Sequence, residues 1–161
     1  MTSHFLPGQT GLVILVPEVE PLVGHWRRHF EPAAALGVGA HVTVLFPFAP
    51  LNAVDRRAIA DLERVFADVA PFELSLTGFA RFPDGALYLE PEPSERVRGL
   101  TERVARRWPE FPPYGGAFAE IIPHRTVSGG VEAEIEKAIE AAVTPTLPIV
   151  SQVDAVHLMT F

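Results

Sequence analysis

Apolar residues along this chain fall into two rhythms, short continuous runs and helically spaced faces, which follow one another in order. Gly11 to Val16 (GLVILV) is a short apolar run closed by Pro17 and predicts a buried strand. Leu22, Trp26, His29 and Phe30 then share one helical face, with Pro21 suited to a helix start. His41 to Phe48 (HVTVLFPF), rich in β-branched and aromatic residues, predicts a second strand, with Phe46 and Phe48 sharing the core-facing parity of Val42 and Val44. Asn52 is a candidate N-cap, with Asp55 in the first turn of a helix whose face is Ile59, Leu62, Val65, Phe66 and Val69. Residues 72–82 and 86–90 read as two strands joined by Pro83-Asp84-Gly85.

The order then repeats. Ser94 is a candidate cap for a helix with Val97, Leu100, Val104 and Trp108 on one face. A loop rich in proline and glycine leads to a strand over 118–127, in which Pro123 argues for a late start, a bulge or an edge position. Ser128-Gly129-Gly130 turns the chain into a helix carrying Val131, Ile135, Ala138, Ile139 and Ala142, and strands near 146–151 and 153–160 follow. Each half therefore reads helix, strand, helix, strand, strand. This predicts an α+β fold of two similar lobes, each packing helices on one sheet face, with the opposite faces meeting across a central cleft.

Length bounds this to one domain over residues 1–161, built as two lobes around one core. With 48% hydrophobic and 20% charged residues a packed core is expected. No apolar run approaches the length of a membrane helix, and the 11–16 run lacks the basic lead-in of a signal peptide, so a cytoplasmic protein with no membrane association is expected. The absence of cysteine removes disulfides, thiolate metal sites and a cysteine nucleophile. The net charge of −7 argues against capture of long nucleic acid by counterion release, so a nucleic-acid ligand should be a nucleotide or an RNA end. The expected oligomeric state is a monomer.

The chemistry-bearing pattern is a pair of His-x-Thr triplets, His41/Thr43 and His124/Thr126, each in a predicted strand and each followed by a valine. Six histidines and nine threonines give roughly 0.3 such triplets by chance, so the matched strand context carries more weight than the triplets. Residues i and i+2 of a strand share a face, so each histidine points with its threonine. Two imidazoles facing one phosphate suit displacement at phosphorus without a metal. One deprotonates the attacking water and the other protonates the leaving oxygen, while threonine hydroxyls hydrogen-bond the non-bridging oxygens.

These motifs, together with FARFPDGALYLEP at 79–91 and PPYGGAFAEIIPHRTV at 112–127, resemble the 2H phosphoesterase superfamily, which includes 2′-5′ RNA ligase-like proteins and cyclic nucleotide phosphodiesterases. The resemblance runs over essentially the whole chain. It implies a bilobal α+β fold with two pseudo-symmetric antiparallel sheets, outer helices and a central cleft, with His41, Thr43, His124 and Thr126 as the site. It implies metal-independent hydrolysis of a 2′,3′-cyclic phosphate on a nucleotide or RNA end, with no cofactor and with weak reverse 2′-5′ ligation. The alternatives are a non-catalytic module that binds a nucleotide or RNA end, and an RNA-processing role with a protein partner.

One residue departs from the pattern. Arg125 stands where an apolar residue is common, on the helix-facing parity of its strand. It can snorkel or pair with Glu132 or Glu136, or a bulge beside Pro123 can turn it to the cleft as a phosphate ligand. Tyr114, in the loop before the second motif, is a candidate to stack on a base or bond a phosphate, or simply packs the loop. Arg81 and Phe82 are candidates for the rim. His25 and His29 have a metal-ligand spacing, but HWRRH lacks a glutamate and carries two arginines, which favours a solvated or half-buried pair. His157 reads as a core or interface residue and His4 as part of the terminus.

Overall fold

The computed structural model describes residues 5–129 and 131–161, with the side chains of Pro32 and Ala33 excepted. His4 and Gly130 lie outside the described residues. The strands are β1 (Thr10–Leu15), β2 (His41–Leu45), β3 (Phe72–Arg81), β4 (Ala86–Glu92), β5 (Arg125–Gly129), β6 (Ile149–Val153) and β7 (His157–Thr160). The helices are α1 (Glu20–Phe30), the short α2 (Pro32–Ala35), α3 (Arg56–Phe66), α4 (Ser94–Arg107) and α5 (Ala133–Val143).

Two antiparallel sheets form, one ordered β2-β1-β7 and the other β5-β4-β3-β6, so each motif strand is the edge of its own sheet. The predicted element order is found, but the halves of the chain do not each make a lobe. The strands β3 and β4, which follow the first motif, belong to the sheet of the second, and the last strand, β7, returns to pair with β1. The helix after each motif strand covers that strand's sheet: α3 lies over Leu12 and Leu158, and α5 reaches β3 through Arg81 and Glu136. The helix before each motif strand crosses over: α1 packs on β5 and α4 packs on β2. The lobes are thus interwoven around one buried aliphatic cluster that includes Leu12, Val42, Leu74, Leu89, Val104 and Ile139.

Local signals were displaced where polar residues do unexpected jobs. The cap of α3 is Asp55, whose carboxylate accepts from the Ala58 N–H at 2.8 Å, while Asn52 sits in a preceding 3-10 turn. Ser94 is the first residue of α4 rather than its cap, and its N–H is taken by Glu92 at 3.2 Å. In α1 the buried face is Val23, Gly24 and Arg27 rather than the face centred on Trp26 and His29, because Arg27 is neutralised by carboxylates and buries with the core. In α5 the inward face is Glu136, Ile139 and Val143, and Ala138 and Ala142 are exposed. Phe48 is buried as expected, whereas Phe46 is half-buried and packs edge-on to Phe5 and Phe161. The strand expected over 118–127 begins only at Arg125, beyond Pro123, and continues through Ser128 to Gly129, where a turn was expected.

Candidate active site

Along β2 the burial alternates: His41 and Thr43 are half-exposed, Val42 and Val44 buried. The second motif has the same alternation, with His124 and Thr126 half-exposed and Arg125 and Val127 buried. The period of two puts each His-Thr couple on the side turned away from the helices. The backs are held differently. The Thr101 hydroxyl of α4 donates to the Val44 carbonyl at 2.6 Å behind β2, while α1 lies behind β5. The strands β2 and β5 lie against one another, which brings the two couples to one region.

The imidazoles are oriented alike. His41 Nδ1 lies 2.8 Å from the Gly39 carbonyl and His124 Nδ1 lies 2.7 Å from the Ile122 carbonyl, each acceptor two residues back. A carbonyl oxygen can only accept, so Nδ1 carries the hydrogen in both rings and Nε2 holds the free lone pair of the neutral form. Burial, reinforced by the Arg125 guanidinium, pushes the His41 imidazole down to about 4. Burial likewise lowers His124, with the bond to Ile122 opposing it. Both rings therefore rest as neutral bases at neutral pH.

An aromatic wall surrounds the second histidine. Phe82 stands edge-on to the His124 ring at 4.8 Å between centroids, and Tyr88 at 5.7 Å. Tyr88 is the cross-strand partner of Thr126, and partners directly opposite in an antiparallel pair share a face. Tyr114 bridges the two motifs. Its ring is 6.5 Å from that of His124 in stacked orientation, and its phenol meets the Thr43 hydroxyl. Burial pushes that phenol up to about 12, so Tyr114 stays a hydrogen-bond donor. It sits at φ 51°, in the left-handed region, and its N–H donates to the Phe46 carbonyl at 2.6 Å, which pins the loop to the end of β2.

Arg125 is fully buried on the α1 side, 3.5 Å from Glu31, and not in the cleft. Its carboxylate partner is neither of the two expected from sequence: Glu136 pairs with Arg81, and Glu132 is exposed. Arg81 therefore points to the outer helix α5 while Phe82 faces the histidine. His25 and His29 are exposed on α1, with ring centroids 4.9 Å apart. Among the described residues no three His, Asp or Glu side chains are grouped as metal ligands. His157 is half-buried on β7, opposite Val13, which is itself opposite Thr43, so it shares the open face of the first sheet. Tyr88 and the Arg27–Glu31 pair were missed from sequence. The alternation of Leu87-Tyr88-Leu89 and the opposite charges four apart at 27 and 31 are the signals that could have found them.

A family model for the 2′-5′ RNA ligase superfamily matches residues 15–161. Two bacterial proteins bearing the name "Putative phosphoesterase", from Geobacillus kaustophilus (strain HTA426) and Bacillus pumilus (strain SAFR-032), are each 24% identical to this chain. The matches run over 125 and 120 residues, covering 73% and 72% of this chain and 66% and 67% of the relatives, about two thirds of their length. Among solved structures, E. coli LigT complexed with 3′-AMP superposes with a TM-score of 0.60 at 19% identity, over 96% of this chain and 88% of LigT. LigT complexed with ATP superposes with a TM-score of 0.56 at 19% identity and the same coverage. Those likenesses show the fold, and no described helix is long and apolar enough to cross a membrane. On the family match, the chain belongs to the 2′-5′ RNA ligase superfamily of 2H phosphoesterases.

Proposed function

We propose that this protein is a metal-independent phosphodiesterase that opens a 2′,3′-cyclic phosphate on a nucleotide or RNA end. The observation that carries this reading is the duplicated couple: two imidazoles, each tied at Nδ1 to the carbonyl two residues back, each with a threonine two residues on, at the heads of adjoining edge strands, His41 opening β2 and His124 just before β5. Water attacks phosphorus while one Nε2 takes its proton. The P–O bond to one ribose oxygen breaks, and the other imidazole, protonated, gives that oxygen its proton. Thr43 and Thr126 bond the non-bridging oxygens. Both rings rest neutral, and a bound anion raises the pKa of each, which supplies the protonated partner only when substrate is present. With a 5′-hydroxyl in place of water as nucleophile and the 3′-oxygen as leaving group, the same displacement gives 2′-5′ ligation, the weaker activity.

Phe82 and Tyr88 beside His124, with Tyr114 at the bridge, provide flat surfaces for a base. The nucleotide complexes of LigT favour the same ligand class. The acidic net charge favours small ligands over long RNA. Phosphorus NMR of 2′,3′-cyclic AMP with the protein in EDTA tests the reading. Conversion to a monophosphate ester is expected, and saturable binding without product would leave a binding module instead.

A further inference from the structure

The ion pairs behind the two motif strands are unevenly made. Arg27 donates from Nε to Glu31 at 2.5 Å, from Nη1 to Glu20 at 2.5 Å and from Nη2 to the Val38 carbonyl at 2.9 Å. Glu20 also accepts the Ala40 N–H at 2.9 Å, so this network grips the backbone immediately before His41. Arg125 comes to the same cluster from β5 and finds its carboxylate already committed. Among the described residues its one contact is Nη1 to Glu31 at 3.5 Å, and its Nε and Nη2 have no partner although the side chain is 0% exposed. Two buried guanidinium groups thus share one buried carboxylate, with Glu20 half-exposed.

A buried charge with two unmet donors is costly. Arg125 stands behind both rings of the site, one across the β2–β5 contact and one next along its own chain, and after burial its charge is a further cause that lowers both imidazoles. The charged groups facing His41 are Arg125 from β5, Arg27 from α1 and Glu31 from the end of α1, and Tyr114 approaches its strand from the loop. Those facing His124 are Arg125 and Glu31, with Tyr88 from β4 alongside. Two cations face two carboxylates there, Glu31 buried and Glu20 half-exposed, and both carboxylates lie closer to Arg27, so Arg125 is the guanidinium without a close partner.

We propose that Arg125 is a positioning residue whose charge, buried behind both motif strands without a close carboxylate, adds to burial in favouring the uncharged form of the two imidazoles until an anion occupies the cleft. This deepens the phosphodiesterase reading and rests on it for its purpose, since a charged substrate then provides the counter-field that protonates one ring. Arg125 touches no substrate. It acts through His41 and His124.

The test is an NMR titration of the histidine side chains in ligand-free protein. In Arg125→Met the midpoint of His41 should rise by about one pH unit, and that of His124 in the same direction, while Arg125→Lys should stay with the wild type. Arg125→Gln, which keeps a hydrogen-bonding group for Glu31, replaces the methionine variant if that one does not fold, with the same expected rise. Inorganic phosphate should bind the neutral variants more weakly than Arg125→Lys. Unchanged midpoints in a folded neutral variant would overturn the proposal, and so would a lysine variant that shifts as far as the neutral ones. No substrate enters the titration, so a wild type without diesterase activity sinks the function and leaves this result standing.

Discussion

The two motif strands present the same face to the cleft and different faces to the protein. On the open side, His41 opens β2 and His124 stands just before β5, each tethered to a carbonyl two residues back and each with a threonine beyond it in the strand. On the hidden side, β2 has Val42 and Val44 against α4, with Thr101 bonding the Val44 carbonyl, whereas β5 has Arg125 against α1 and a shared carboxylate. A reaction with nearly equivalent entering and leaving oxygens asks for a symmetric open face. Nothing in that chemistry requires symmetric backing, and the backing is where the two strands diverge.

The largest effect should come from the open face. His41→Ala and His124→Ala should each lower the rate of cyclic-phosphate hydrolysis by about 10²-fold or more, measured by phosphorus NMR, and a fully active variant would break the symmetry by removing that ring from the reaction. Next comes the charged backing. Arg27→Met leaves Glu31 and Glu20 without their close partner and should cost about 3–5 kcal/mol in urea unfolding. The apolar backing is cheaper to disturb. Thr101→Val removes one buried hydrogen bond behind β2 and should cost about 1–2 kcal/mol by the same measurement.

Acidification provides a subtler contrast. His41 is held below its ordinary value in the folded protein, so between pH 6.5 and about 4 the unfolded chain binds a proton that the folded chain does not. Stability should therefore fall as pH drops through that window, and His41→Gln should flatten the slope in unfolding curves taken at pH 7 and pH 5. The smallest effect should be at the bridge. Tyr114 meets the threonine of the first motif, so Tyr114→Phe should change KM by about threefold and leave kcat nearly unchanged.

Much of this molecule follows from its residue order. The period of two across HVTV and HRTV determines that each histidine shares a face with its threonine, and the helical spacings of α3 and α4 determine where those helices run. Pro123 forecast a late start for its strand, and β5 begins two residues beyond it, at a sheet edge. Short-range rules suffice for such features because the deciding contacts lie within a few residues. Other features were decided at long range. The crossing of α1 to the second sheet and of α4 to the first places charge and apolar surface behind strands far away in sequence. The burial of Arg27 and Arg125 runs against residue type, because a carboxylate from another element decides whether a guanidinium can leave water. The residues alone determined which side chains could do the chemistry. Only tertiary structure decided what stands behind them, since a strand's pattern specifies its two faces but not the partner each face meets.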